Sequence, residues 1–283
     1  MTRRVAVDVG NSFYHLALEN PGGPPCRYSL PTRQAGASET LLDYLADSIT
    51  TDEPIDWHVA SVCGPAKQSL FQAIEEKFSC ENHAWYDVDF RWISESGHSS
   101  LRWDVDAIDR VGIDRLLAAS AGRRLAGPSV VVIDSGSAIT VDLVDDGTYR
   151  GGIIAAGLAM QSRALAGDTE NLFAIDVDAI DVDGIDSDTA ASTLVVPGKN
   201  TADAMLGGML YGTAGGIDRV VAEYRRLVGR DIPVVATGGD LRLLKPYVHI
   251  DWIAAEHLVT DELLRLTRPA SVQAKTWRGA DSR

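Results

Sequence analysis

The sequence predicts an α/β fold built twice over: two domains, each with a mixed sheet led by a three-stranded meander and flanked by helices. Three observations carry this. Apolar stretches of strand length alternate with stretches of helical periodicity. Two strands end in an Asp-x-Gly turn, at Asp8-Val9-Gly10-Asn11-Ser12 and at Asp134-Ser135-Gly136-Ser137. Each of those turns leads into a returning strand, a second turn and a third strand, so the order of elements repeats at domain scale.

In the first half, residues 4–9 (RVAVDV) read as a buried strand and 13–19 (FYHLALE) as its return. The Pro- and Gly-rich loop 21–25 breaks the chain before CRYSL resumes as a third strand. Ser38 is the expected N-cap of the helix SETLLDYLADSI, whose apolar residues fall at helical spacing. A strand (56–63), a helix (66–78) and a strand (83–88) follow. The second half opens on the strand 130–134 and returns as AITVDLV. It turns at Asp145-Asp146-Gly147-Thr148 and runs on as YRGGIIAA. A helix begins near Gly157, another fills roughly 201–227, and IPVVAT leads into Gly238-Gly239-Asp240. The expected domains are 1–127 and 128–265, with 266–283 as a tail. The stretch 168–188, with Asp168, Glu170, Asp176, Asp178, Asp181, Asp183, Asp186 and Asp188, lacks the spacing of a calcium loop and reads as a solvated acidic segment.

Composition sets outer bounds. A 283-residue chain that is 45% hydrophobic can bury a core or two. Its net charge of −14 argues against nucleic acid and acidic membrane surfaces as partners. Cys26, Cys63 and Cys80 form no CxxC pair and suit a reducing compartment. No apolar run approaches the roughly 20 residues that span a bilayer, and the expectation is a cytoplasmic protein.

The paired turns suit one chemistry. The missing Cβ of Gly10 and Gly136 lets backbone N–H groups approach a phosphate. The neighbouring carboxylates Asp8 and Asp134 can hold Mg²⁺ or its water shell against that phosphate. Asn11, Ser12 and Ser137 add neutral hydrogen-bonding groups. One such turn is weak evidence, because Asp-Gly turns end hairpins everywhere. Two in matching halves define the walls of an interdomain cleft for a triphosphate. Thr237-Gly238-Gly239 adds a glycine pair between a strand and a helix, which permits close approach of a flat ligand or a phosphate. Gly112-Ile113-Asp114-Arg115 places a carboxylate beside a guanidinium at a helix start. Phosphoryl transfer to an alcohol uses such a carboxylate to orient the hydroxyl and take its proton, although on spacing alone a helix-start Asp is better explained by the macrodipole.

Taken in order, DVGNS (8–12), GIDR (112–115), DSGSAITVD (134–142), GGIIAAG (151–157), GKNT (198–201) and TGG (237–239) resemble the type III pantothenate kinases, over roughly residues 4–265. The resemblance implies a homodimer of subunits with duplicated actin-like (ribonuclease H-like) domains. It also implies phosphorylation of pantothenate with ATP, the first step of coenzyme A synthesis. Carried over residue by residue, Asp8, Val9, Gly10, Asn11, Ser12, Phe13, Tyr14 and His15 line the first phosphate loop, and Ser137 contacts ATP. Asp114 is the general base, and Gly112, Ile113 and Arg115 complete the substrate contact. Thr201 reaches pantothenate across the dimer interface. Asp134 is the ligand of a monovalent cation, K⁺ or NH₄⁺, beside the Mg²⁺ that accompanies ATP. The chain departs from the pattern where Ser12 and Ser137 replace Thr, where Ala156 replaces a Pro, and at Val105, where the family often has a substrate-facing Tyr. Two other readings compete: a kinase of the same fold acting on another small alcohol such as a sugar, and a nucleotide-binding relative that is catalytically weak or acts as a switch.

Overall fold

A computed structural model describes residues 2–46, 48–49, 54–78, 82–95, 101–180, 196–266 and 268–275. The chain divides into two compact units, Met1–Ala121 together with His257–Arg283, and Gly122–Glu256.

In the first unit, β1 (Arg3–Val9), β2 (Phe13–Leu18) and β3 (Cys26–Pro31) form the expected antiparallel meander. After α1 (Ala37–Ala46), β4 (Ile55–Ser61) pairs parallel to β1; after α2 (Gly64–Lys77), β5 (His83–Asp87) pairs parallel to β4. The sheet order is therefore β3-β2-β1-β4-β5. Parallel neighbours need a crossover, which α1 and α2 supply. Val5, Val7 and Val9 of β1 face those helices with Tyr14, Leu16, Trp57 and Trp85, and pack against Leu41, Leu45, Leu70 and Phe71. Short elements follow: α3 (Phe90–Ser94), β6 (Arg102–Trp103), a 3₁₀ turn at Ile108–Arg110, and the start of α4 (Ile113–Ala126). Ser38, expected as the cap of α1, lies one residue inside the helix. Its hydroxyl is buried against Tyr14 Oη at 3.2 Å and Ser69 Oγ at 3.0 Å.

The second unit repeats the plan. The meander is β7 (Val130–Ser135), β8 (Ala138–Asp145) and β9 (Thr148–Ala156), followed by α5 (Leu158–Gly167) and α6 (Thr201–Val228). Then β10 (Val234–Thr237) pairs parallel to β7, α7 (Leu241–Leu244) follows, and β11 (Ile253–Ala254) pairs parallel to β10. Within this unit the strands lie β9-β8-β7-β10-β11, the same order as β3-β2-β1-β4-β5. Asp146 and Gly147 both take positive φ, 48° and 73°, as a two-residue hairpin turn with right-handed strand twist requires. The described carboxylates of the acidic segment, Asp168, Glu170, Asp176 and Asp178, are exposed as expected, and the backbone beside them is anchored. Val177 is buried in the core, and Arg242 donates to the carbonyls of Val177, Asp178 and Ile180. Asp181, Asp183, Asp186 and Asp188 lie outside the described residues.

The chain's last part differs from the expectation. Residues from His257 onward group with the first unit, because α8 (Leu258–Arg265) lays an apolar face on β1 and β2. The segment assigned to a tail is docked as far as it is described. Lys275 N donates to Trp85 O at 2.7 Å, covering the outer edge of β5, and its ammonium lies 4.0 Å from the Phe71 ring centroid. Among the described residues no helix is long and apolar enough to cross a membrane.

One buried group makes the first unit sensitive to acid. His58 of β4 is 2% exposed, edge-on to Trp92 at 4.6 Å, and its Nδ1 has no hydrogen-bond partner. Burial, reinforced by the Arg4 charge, lowers its pKa from 6.5 to about 4. Above pH 6.5 both folded and unfolded chains leave the ring neutral. Between 6.5 and about 4 the unfolded chain takes up a proton that the native state refuses, so stability falls with falling pH, by roughly 2 kcal/mol at pH 5. Burial lowers the His83 pKa as well, which acts in the same direction. Denaturant unfolding at pH 7.5 and pH 5 is expected to show this loss in the native chain and a smaller one in His58→Gln. Equal losses in both would remove His58 as the cause.

Candidate active site

In the first unit, strand alternation puts Val7 and Val9 in the core and turns Asp8 to the opposite face. Asp8 stands opposite His15 of β2 and beside Ala60 of β4. The turn after it is closed by Gly10 N donating to Phe13 O at 2.9 Å. A Cβ on Gly10 would meet that same carbonyl at 3.2 Å. Thr32 anchors the turn from β3's end, donating through Oγ1 to Asn11 O at 3.1 Å and through N to Ser12 O at 2.9 Å. Asn11 and Phe13 are exposed and Ser12 half-buried, so this part of the predicted loop presents side chains outward. Val9 and Tyr14 do not. Val9 is in the core, and Tyr14 Oη donates to Ala66 O at 2.9 Å, which leaves both residues only their backbone for a ligand. The His15 ring is exposed, with Nδ1 2.8 Å from Ser29 Oγ.

The GIDR segment meets the same end of this sheet. Val62 N donates to Val9 O at 3.1 Å, so the chain leaving β4 borders the turn that follows Asp8. A Cβ on Gly112 would lie 3.7 Å from Val62 Cγ1 and 2.4 Å from Asp114 Oδ1. Glycine is thus what allows the Asp114 carboxylate its position, where Oδ1 accepts Arg115 N at 2.8 Å in the first turn of α4. Asp8 and Asp114 therefore border one end of the first sheet. Ile113 is buried, while Arg115 and Val105 are half-buried.

In the second unit Asp134 is next to last in β7, opposite Thr140 and beside Thr237. Its turn closes by Gly136 N donating to Ala138 O at 3.1 Å. Backbone packs directly on backbone around it. A Cβ on Gly157 would lie 2.1 Å from Gly136 O, and one on Gly238, whose φ is +107°, would lie 2.3 Å from Ser135 O. The three segments Asp134–Ser137, Gly157 and Thr237–Asp240 are brought together as a result. Asp240 joins them: its N donates to Ser135 O at 3.0 Å, and its carboxylate accepts Leu158 N, at the start of α5, at 3.2 Å. Burial raises the Asp240 pKa against that hydrogen bond. Nothing in the spacing of Asp240 announced this bracing role.

Thr201 opens α6, capped by Asn200 Oδ1 accepting Asp203 N at 2.9 Å. It lines a groove of about 1100 Å³ between α5 and α6, with Gln161, Asp168, Lys199, Met205 and Gly208. Gln161 braces one wall by donating to Ala156 O at 2.8 Å, where the family pattern has Pro, and to Thr213 Oγ1 at 2.9 Å. Sequence spacing gave no sign of this groove, whose two walls are far apart along the chain.

Among the described residues no cluster of three or more His, Cys, Asp or Glu could hold a metal. Each turn instead offers one strand-end carboxylate. That donor set fits Mg²⁺, whose remaining ligands are phosphate oxygens and water.

Two matching sheets, each with an acidic turn at the end of its central strand, make a duplicated actin-like fold. The solved structure of Bacillus thuringiensis ParM with ADP shares this fold at a TM-score of 0.51 and 10% identity, over 93% of this chain and 98% of that one. The type III pantothenate kinase family model matches residues 4–223. The type III pantothenate kinase of Rhodopirellula baltica is 35% identical over 93% of this chain and 98% of its own length. That of Mycobacterium sp. (strain KMS) is 29% identical over 92% and 94%. The chain belongs to the type III pantothenate kinase family.

The two glycines of the Thr237–Asp240 loop separate packing from ligand approach. Gly238→Ala is expected to cost roughly 3 kcal/mol through its positive φ and backbone clash, read as a lowered Tm. A Cβ on Gly239 meets nothing within 4 Å. Gly239→Ala is expected to melt like the native chain while raising KM for ATP severalfold. A native melting curve for Gly238→Ala would refute the packing account, and a native KM for Gly239→Ala the account of ligand approach.

Proposed function

We propose that the chain transfers the γ-phosphoryl group of ATP directly to the pantothenate hydroxyl, with Asp114 as general base and the two Asp-x-Gly turns acting on one nucleotide. Pantothenate kinase activity, and with it a place at the entry to coenzyme A synthesis, follows from family membership. The observation that carries the assignment of roles is Asp114, freed by Gly112 and bordering the turn that follows Asp8.

In this reading Asp114 orients the hydroxyl and takes its proton as the new O–P bond forms and the bond from the γ-phosphorus to ADP breaks. Arg115 pairs with the substrate's carboxylate. Backbone N–H groups around Gly10 and Gly136, with Asn11, Ser12 and Ser137, hold the phosphates. Mg²⁺ arriving with ATP would be held by Asp8, and when bound it neutralises charge on the β- and γ-phosphates. A K⁺ or NH₄⁺ ion suits Asp134, a hard oxygen donor at the second turn. Phe13 and His15 extend the first turn. Ile113 supplies apolar contact, and so does Val105, where the family often has a substrate-facing Tyr, which favours a weaker hold on pantothenate.

A homodimer is supported by α6. Gly208, Gly212 and Gly215 have open space where a Cβ would stand, so a second helix could approach closely there. Thr201 at that helix's start would then serve the partner's substrate. Light scattering is expected to give twice the 30.4 kDa chain mass; a monomer at micromolar concentration would remove Thr201 from the site.

Steady-state kinetics test the roles. Asp114→Asn keeps shape and hydrogen-bonding reach but cannot accept the proton, and should lose about 10²- to 10⁴-fold in kcat with ATP affinity retained. Asp8→Asn should weaken use of Mg·ATP along with rate, and Asp134→Asn should abolish any activation by K⁺ or NH₄⁺. Near-native kcat in Asp114→Asn would overturn the base. A preference for sugars over pantothenate in the native chain would favour the other-alcohol reading.

A further inference from the structure

The first unit buries a carboxylate that phosphoryl transfer leaves without a task. Glu262 of α8 is 0% exposed, and Glu is almost never fully buried unless paired. Its Oε1 accepts a hydrogen bond from Ser120 Oγ at 2.6 Å, and the Arg265 guanidinium, three residues on, reaches both carboxylate oxygens at 3.3 Å. Ser120 is buried too, in the middle of α4.

Two helices that matter to the site are thereby tied to each other. α8 packs on β1 and β2, and it covers the face bearing Asp8: His58 there lies near the Leu263 backbone, stands beside Ala6 across the strand pair, and Ala6 shares its face with Asp8. α4 carries Asp114 in its first turn, six residues and about 9 Å before Ser120. Around Ser120 the buried residues of α4 are Leu116 and Leu117 one turn before it and the small Ala118, Ala119 and Ala121 beside it. Beside Ser120 the alanines make low ridges, which by themselves give that stretch little steric resistance to sliding or turning. A short hydrogen bond to a carboxylate resists both. A buried charged group of this kind adds little net stability over an apolar pair, and its best-attested use is to fix register.

We propose that Glu262 is a positioning residue: by holding Ser120 it sets the height and rotation of α4, and so places the Asp114 carboxylate against the end of β1. The inference rests on Asp114 being the base. Misplacing a reacting group by about 1 Å can cost up to 10²-fold in rate, so the pair should act on kcat more than on nucleotide binding.

The test uses the full chain with Ser120→Ala, Glu262→Ala, Glu262→Gln and the double variant Ser120→Ala/Glu262→Ala. Each is assayed with ATP and pantothenate at a temperature below its own Tm. Ser120→Ala and Glu262→Ala are expected to lower kcat roughly tenfold while KM for ATP stays within about twofold. Glu262→Gln, whose amide oxygen still accepts from Ser120, should keep at least about half the native kcat. The double variant should be no slower than either single, as expected of two groups acting as one unit. Native kcat in a folded Ser120→Ala would overturn the proposal, and so would Glu262→Gln as slow as Glu262→Ala. Should Glu262→Ala fail to fold, Ser120→Ala, which removes one hydroxyl, decides. Asp114→Asn in the same series separates the two ideas. If it turned over normally the base assignment would fall. If it were inactive while Ser120→Ala was normal, only the positioning role would fall.

Discussion

Backbone packed on backbone at the end of a central strand is the constraint on which the second unit's site depends. With Gly157 against the Gly136 carbonyl and Gly238 against that of Ser135, three segments far apart in sequence meet where even a methyl group would not fit. This closeness leaves room for no side chain except the ones at the strand end. Asp134 is consequently presented at the rim of the sheet, while Asp240, drawn inward, satisfies the first free N–H of α5. Both carboxylates are acidic residues in a strand-to-turn setting, and only their surroundings give one a place at the rim and the other a structural task.

The first unit reaches a similar arrangement by different means. Its turn is one residue longer, Gly10-Asn11-Ser12 against Gly136-Ser137, and it is held by Thr32 from the neighbouring strand rather than by a glycine from a following helix. Beneath it lies a buried polar chain, from Ala66 O through Tyr14 Oη and Ser38 to Ser69, that joins β2 to α1 and α2. Such a network is stable in a low-dielectric core when its members are partnered, and it rigidifies what it joins. The two units share one topology, and the local solutions at their turns have diverged.

Electrostatics then sort the remaining polar groups. The chain is strongly acidic, so anionic substrates meet no general attraction. In the proposed reading a triphosphate is held instead by local backbone donors at the glycine turns and by a cation at the strand-end carboxylates. The same low-dielectric interior that sharpens these interactions also holds His58 neutral, which gives the first unit its acid-sensitive element.

By itself the sequence determined the duplicated topology, since strand alternation, two Asp-x-Gly turns and the Asp146-Gly147 hairpin are all local signals. The motifs around Gly112–Arg115 and Asp134–Asp142 likewise identified the family, because residue type and spacing survive without any knowledge of packing. Tertiary structure decided what local spacing cannot carry. It turned Val9 and Tyr14 inward by the two-residue period of a strand already committed to the core, and placed Ser38 inside α1 rather than at its cap. It also returned α8 to the first unit, although that helix follows the whole second half of the chain, because its apolar face is covered by β1 and β2. Asp240 at the start of α5, Gln161 against Ala156, and Glu262 beneath Ser120 are in the same category. Each acts through a partner between 5 and 142 residues away, and only folding brings such pairs within the roughly 3 Å over which a hydrogen bond exists.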